Sequence, residues 1–220
     1  LLTSLLLLMI IFFSLKNSIV LFFVFLAINY FSLIEINNLF KSIFKKKNQL
    51  YFFSFLASVI YISIFSLIIW NFLIPFNNNA IITLIFLILI CISTDIGGFI
   101  FGKLVGGKKL TQISPNKTYS GVFGSFFLSI TFGYFYYIFY KTYLIFEVNY
   151  LILIAIISLI SQIGDLIISF LKRKAKIKDT GSILPGHGGI LDRIDGILFA
   201  LPFGIILILS LIHISEPTRR

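Results

Sequence analysis

The stretch from Ser169 to Asp195, SFLKRKAKIKDTGSILPGHGGILDRID, gathers Lys172, Arg173, Lys174, Lys176, Lys178 and Arg193 with Asp179, Asp192, Asp195 and His187. Nearly everything before it is apolar. A connector between apolar segments needs only polarity and turn residues, so this density of bases and carboxylates points to chemistry on a phosphate-rich, metal-bound substrate. Pro185, Gly186, His187, Gly188 and Gly189 break any helix and let backbone N–H groups approach a ligand. Asp192 and Asp195, three residues apart, share a face of the helix expected to open beside them. Flanking Arg193, they repel each other unless a cation intervenes. With Asp165 from another helix, their oxygens suit Mg²⁺, which takes carboxylates, water and substrate phosphates. Favourable interaction with a helix macrodipole explains Asp192 but leaves Asp165, Lys178 and His187 without a reason. A zinc site is disfavoured, because His187 has no credible second His and the chain has one Cys. His187 reads better as a phosphate contact or an orienting donor, against the plainer alternative of a turn histidine.

A second basic loop lies upstream: Asp95-Ile96-Gly97-Gly98, Gly102-Lys103, Gly106-Gly107-Lys108-Lys109 and Ser114-Pro115-Asn116-Lys117-Thr118. Its glycines permit close backbone approach, and its Lys, Ser and Thr can meet phosphate oxygens. It is not a P-loop, since neither GxxxxGKS nor GxxxxGKT occurs. Asp95 and Asp165 sit inside apolar runs, where a carboxylate costs a few kcal/mol unless paired or solvated, so both are functional candidates. Ser158, Ser161, Gln162, Asp165, Ser169 and Lys172 recur every three or four residues and form one polar stripe. The stripe reads as the wall of a water-accessible cavity. Serines alone would suffice for helix glue.

The elements that must carry these residues are membrane helices. Of the 220 residues 59% are hydrophobic and 12% charged, and the mean hydropathy is +1.06. Soluble domains run at about 45–50% apolar and about 25% charged. The expectation is an all-α, polytopic transmembrane bundle of about seven spans, over 1–15, 18–34, 51–73, 80–102, 121–142, 148–171 and 196–213. Lys41 and Lys45 to Lys47 follow the second span. Lys103, Lys108, Lys109 and Lys117 follow the fourth, and Lys172 to Lys178 with Arg193 follow the sixth. The loops between, Ile74 to Asn79 and Thr142 to Asn149, carry one Glu and no base, so the basic loops are expected in the cytoplasm. The net charge of +10 then reflects topology and anionic lipid or nucleotide phosphates rather than nucleic acid. Cys91 has no partner for an intrachain disulfide.

Residues 1–208 are expected to form one integral-membrane domain, incomplete at its N-terminus, since no Met precedes Leu1 and the first apolar run is short. Leu209 to Arg219, LSLIHISEPTR, resembles the translation of a sequencing-library transposon adapter. Residues 209–220 are therefore expected to be a non-native tail.

Ser169, Lys172-Arg173, Lys178-Asp179, Gly181, Leu184-Pro185, His187-Gly188-Gly189, Asp192-Arg193 and Asp195 resemble, in spacing and identity, the signature of phosphatidate cytidylyltransferases (CDP-diacylglycerol synthases). Asp95 with Gly102-Lys103, the Ser114 to Thr118 block and Gly164-Asp165-Leu166 are similar to two further blocks of that family. One departure is Ile168, where many bacterial members have Glu. The resemblance implies a homodimeric, all-helical enzyme of a bacterial-type inner membrane that converts CTP and phosphatidate to CDP-diacylglycerol and pyrophosphate at its cytoplasmic face. It implies Mg²⁺ on Asp165 and Asp192, with a monovalent cation such as K⁺ nearby. Both reactants are anions, so charge neutralisation and positioning are the tasks. Lys172, Arg173, Lys178 and Arg193 are expected to neutralise phosphates. Ser114, Lys117 and Thr118 would close the site from the other loop. Asp95, Lys103, Ser169, Gly188 and Gly189 would line it, and Asp179, His187 and Asp195 would act beside the metal.

The rival readings fit less well. An ion-coupled transporter predicts polar residues reaching the far side of the membrane, yet here they gather at one face. A CDP-alcohol phosphotransferase needs a DGxxAR core, and Asp195-Gly196 is followed by Ile197-Leu198-Phe199-Ala200. A CTP-dependent lipid kinase shares the nucleotide and differs in which phosphate moves.

Overall fold

A computed structural model describes residues 17–44, 48–74, 77–111, 114, 117–144, 149–181 and 188–215. They form six helices: α1 (Ser18–Ile43), α2 (Asn48–Leu73), α3 (Asn78–Leu104), α4 (Tyr119–Tyr140), α5 (Tyr150–Ala175) and α6 (Leu191–Ser215). No strand occurs among the described residues. The nearest approach to one is an isolated antiparallel bridge between Lys109 and Thr118. All six helices are long and apolar enough to cross a bilayer, and the chain is an integral membrane protein. Six of the seven expected runs thus become helices, and the run 1–15 lies outside the described residues. Several helices outlast their apolar runs: α1 continues to Ile43 and α5 to Ala175, while α6 starts at Leu191. Backbone hydrogen bonding does not stop where hydropathy does.

The chain divides into two compact units, residues 1–67 with 171–194 and residues 68–170 with 195–220. In the first, the Phe25 and Phe65 rings stack at 5.7 Å, and Tyr51 donates its hydroxyl to Asn37 Oδ1 at 2.5 Å. Ser32, Glu35, Ile36, Leu39, Ile62 and Phe65 are buried. This unit also holds the end of α5, where Lys176 adopts φ +59°. Ile177 N–H donates to Lys172 O at 3.1 Å and Lys176 N–H to Arg173 O at 3.1 Å, a Schellman ending with lysine where glycine is usual.

The core of the second unit is Phe86, Leu87, Ile90, Ile154, Ile157, Ile205 and Ile208, all fully buried. Lipid is as apolar as leucine, so helices here associate through close approach and hydrogen bonds rather than hydrophobic exclusion. The contact of α3 with α4 shows both. A Cβ on Gly97 would overlap the Gly124 carbonyl. Ser125 Oγ donates to Thr94 O at 2.7 Å, and the Thr94 and Ser158 hydroxyls bond at 2.9 Å. Asn77 caps α3 and Thr118 caps α4, through Ala80 N–H at 2.8 Å and Gly121 N–H at 3.1 Å.

Candidate functional site

Within the second unit, the α3–α4 loop folds back on itself. Leu110 N–H donates to Lys117 O at 2.8 Å and Tyr119 N–H to Lys108 O at 3.2 Å, while Lys117 N–H reaches Ser114 O at 3.0 Å. The loop delivers Lys117 to α5. Its ammonium lies 2.6 Å from Asp165 Oδ2 and 3.4 Å from Gln162 O. Ser169, one turn on, donates to Asp165 Oδ1 at 3.2 Å. Asp95, exposed on α3, interacts electrostatically with both Asp165 and Lys117. Two acidic side chains thus share one ammonium, in a cluster that is half-open to its surroundings.

The polar stripe of α5 changes character along its length. Ser158 and Ser161 are buried, and Ser158 bonds across to Thr94, so that end is helix glue. Gln162, Asp165 and Ser169 are half-buried. On α6, Asp195 is buried and its Oδ1 accepts Gly196 N–H at 2.8 Å, while its carbonyl lies where α6 passes Gly164 of α5.

Within the first unit, Asp192 sits in the first turn of α6. Its Oδ1 meets Lys172 Nζ at 2.8 Å, and its Oδ2 accepts Thr180 N–H at 2.8 Å and Gly189 N–H at 3.1 Å. Gly188 has φ +81°, a backbone state that glycine reaches without strain, and it borders both Asp192 and Asp179. A residue absent from the expected set stands beside them. Glu35 of α1 is 1% exposed and accepts from Thr180 Oγ1 at 2.8 Å, Ile190 N–H at 2.9 Å and Leu191 N–H at 2.8 Å.

Of the expected residues, the structure therefore brings Asp95, Lys117, Asp165 and Ser169 together in one unit, and Lys172, Asp179, Gly188, Gly189 and Asp192 together in the other. Lys103, Arg173, Lys178 and Arg193 are exposed, with Lys103 over the Phe99 ring at 5.7 Å. Thr118 spends its hydroxyl on capping α4 and on Ser120, at 2.9 Å, and Ser114 takes part in its own loop. His187 lies outside the described residues. Two signals pointed to Glu35. It is the one acid of α1, and Gly188-Gly189-Ile190 offers α6 no capping side chain.

Each unit, taken by itself, offers carboxylate oxygen of the kind that a hard divalent cation takes. Asp165 and Asp192 present carboxylate oxygens that already sit against an ammonium group. Among the described residues no three of His, Cys, Asp and Glu gather into a complete cage. One or two carboxylates supplemented by water and substrate phosphates are what Mg²⁺ commonly uses.

Residues 1–211 match the sequence model described as Cytidylyltransferase family. The phosphatidate cytidylyltransferase of Staphylococcus epidermidis is 43% identical over 129 residues, covering 58% of this chain and 49% of that protein. That of Staphylococcus aureus is 44% identical over 121 residues, covering 53% and 45%. That of Bacillus subtilis is 44% identical over 113 residues, covering 50% and 41%. The chain spans less than half the length of these relatives in each match.

Proposed function

The chain belongs to the cytidylyltransferase family, and from that premise we propose that it transfers the cytidylyl group of CTP to phosphatidate, as a homodimer, at the cytoplasmic face of a bacterial-type cell membrane. The family match across 1–211 carries the proposal, because it takes in every charged residue of both clusters. A phosphate oxygen of phosphatidate attacks the α-phosphorus of CTP, the bond to the β-phosphate oxygen breaks, and pyrophosphate departs. Phosphatidate is already an anion near neutral pH, so no strong general base is needed. What the chain must supply is fixed positive charge and orientation.

Lys117 and Lys172 fit that task, since each ammonium is held by a carboxylate at 2.6 Å and 2.8 Å before any substrate arrives. Arg173, Lys178 and Arg193, exposed at the ends of α5 and α6, are placed to attract anionic substrates. Asp165 and Asp192, each in its own unit, are the residues that would hold Mg²⁺, which when bound offsets charge on CTP phosphates and on departing pyrophosphate. A monovalent cation such as K⁺ would sit nearby, and varying K⁺ in the label-transfer assay tests for it.

The test is label transfer in detergent–lipid micelles. Label from α-³²P-CTP should enter chloroform-soluble lipid only when phosphatidate and Mg²⁺ are both present. Label from γ-³²P-CTP instead would make the protein a lipid kinase. No transfer from either position by folded protein would overturn the enzyme reading in favour of a transporter. Orientation is tested with Lys178→Cys, which should react with an impermeant maleimide in inside-out vesicles and not in right-side-out ones. The native Cys91 is fully buried and stays silent.

A further inference from the structure

A helix leaves its first four N–H groups without intrahelical acceptors. At the start of α6 the residues before Leu191 are Gly188, Gly189 and Ile190, none of which has a side chain able to accept. The acceptor comes from α1. Glu35 Oε1 takes Ile190 N–H at 2.9 Å and Glu35 Oε2 takes Leu191 N–H at 2.8 Å, while Arg193 and Ile194 N–H return to Ile190 O at 2.9 and 3.2 Å. The same Oε2 accepts the Thr180 hydroxyl at 2.8 Å. One carboxylate therefore grips both sides of the signature loop, at 180 and at 190–191.

These two segments are also the ones that hold Asp192. Thr180 and Gly189 both give their N–H groups to its Oδ2, at 2.8 and 3.1 Å. The glycines of the signature fit the same picture. A Cβ on Gly189 would run into the Thr180 hydroxyl and the Glu35 carboxylate, and one on Gly181 would lie 2.7 Å from Glu35 Oε1. At these positions the absent side chain makes room for an acid from a distant helix.

We infer that Glu35 is a positioning residue, which ties Thr180 to Ile190 and Leu191 and thereby fixes the Asp192 carboxylate. Resting on the proposed transfer reaction, its role is to hold Asp192 ready for a divalent cation without touching substrate itself.

The test compares wild type, Glu35→Gln and Thr180→Val by hydrogen exchange in metal-free protein and by Mg²⁺ titration of lipid labelling. Glu35→Gln loses charge-assisted acceptance, so exchange of the Ile190 and Leu191 amides should quicken about tenfold, with 119–140 unchanged. The Mg²⁺ concentration giving half-maximal labelling should rise about tenfold, and saturating Mg²⁺ should restore most of the rate. A merely structural defect would not be rescued by metal. Thr180→Val removes one donor and should move both readouts the same way, about threefold. Unchanged exchange at 190–191 in Glu35→Gln overturns the inference, whatever labelling does. If Glu35→Gln loosens 119–140 as well, Thr180→Val decides: faster exchange at 190–191 sustains the clamp and unchanged exchange refutes it. If wild type transfers no label from CTP, the reaction reading falls, while the exchange data still decide what Glu35 holds.

Discussion

The two units each hold one carboxylate against one lysine, but by different means. Asp192 is held by the chain itself: two backbone N–H groups and Lys172 converge on it, and its side chain is 9% exposed. Asp165 is held by side chains alone, Lys117 and the Ser169 hydroxyl, and is 27% exposed. Backbone donors are fixed once the fold forms, whereas lysine and serine must be ordered at a cost in rotamer freedom and can let go. Asp192 is thus a set point, and Asp165 is adjustable. Its neighbour Asp95 is a second acid on that cluster, as Glu35 and the exposed Asp179 are beside Asp192.

The largest effect that probes this difference is removal of either charge. Asp192→Asn and Asp165→Asn should each lower label transfer by about 10²-fold or more. Only Asp192→Asn should also lower thermal stability, by about 1–3 kcal/mol, since it strands Lys172 and weakens two backbone bonds. Exposure of the buried Cys91 thiol on heating reports the melt, and equal melts for the two variants would erase the contrast.

Next in size is Gly97→Ala, whose new methyl meets the Gly124 carbonyl and should cost about 1–3 kcal/mol in the same thiol melt. A wild-type melt would mean that α3 and α4 have slack at the level of Asp95.

Lys117→Ala should act on metal affinity. It leaves Asp95 and Asp165 without their shared counter-charge, so half-maximal Mg²⁺ should fall about threefold to tenfold even as the maximal rate declines. Lys172→Ala leaves Asp192 its two backbone donors and should lower it less. Equal shifts would make the two clusters alike.

The smallest effect is expected at Lys176→Gly. Relief of about 1 kcal/mol of left-handed strain is largely offset by the greater freedom of unfolded glycine, so the melt should move by less than about 3 °C. A large loss would mean that the lysine side chain itself secures the turn.

Much of this architecture was legible in the residues, and the exceptions have physical causes. Apolar runs reveal the spans because lipid demands them, and the density of charge at 169–195 marks the stretch on which the proposed chemistry rests. Glu35 escaped because the second run was closed at residue 34, one position before it, whereas α1 continues two turns further as a helix. Hydropathy marks where lipid contact ends, not where backbone hydrogen bonding ends. Thr118 was read as a phosphate contact. The rule that Thr before a helix accepts its early N–H groups describes what its hydroxyl does in the structure. Which side chains meet across helices, as Lys117 meets Asp165, is a tertiary matter that spacing along one helix does not encode.

The Glu35 cap also has a timetable. Its partners Ile190 and Leu191 lie 155 and 156 residues later in the chain. At a synthesis rate of about 5–20 residues per second, α1 waits roughly 8–30 s in or beside the membrane before they emerge. Throughout that interval Glu35 lacks these two donors, and α6 can begin as a capped helix only after the oldest described span and the youngest have met. A chain stalled before residue 190 therefore holds α1 to α5 but neither α6 nor the Glu35 cap.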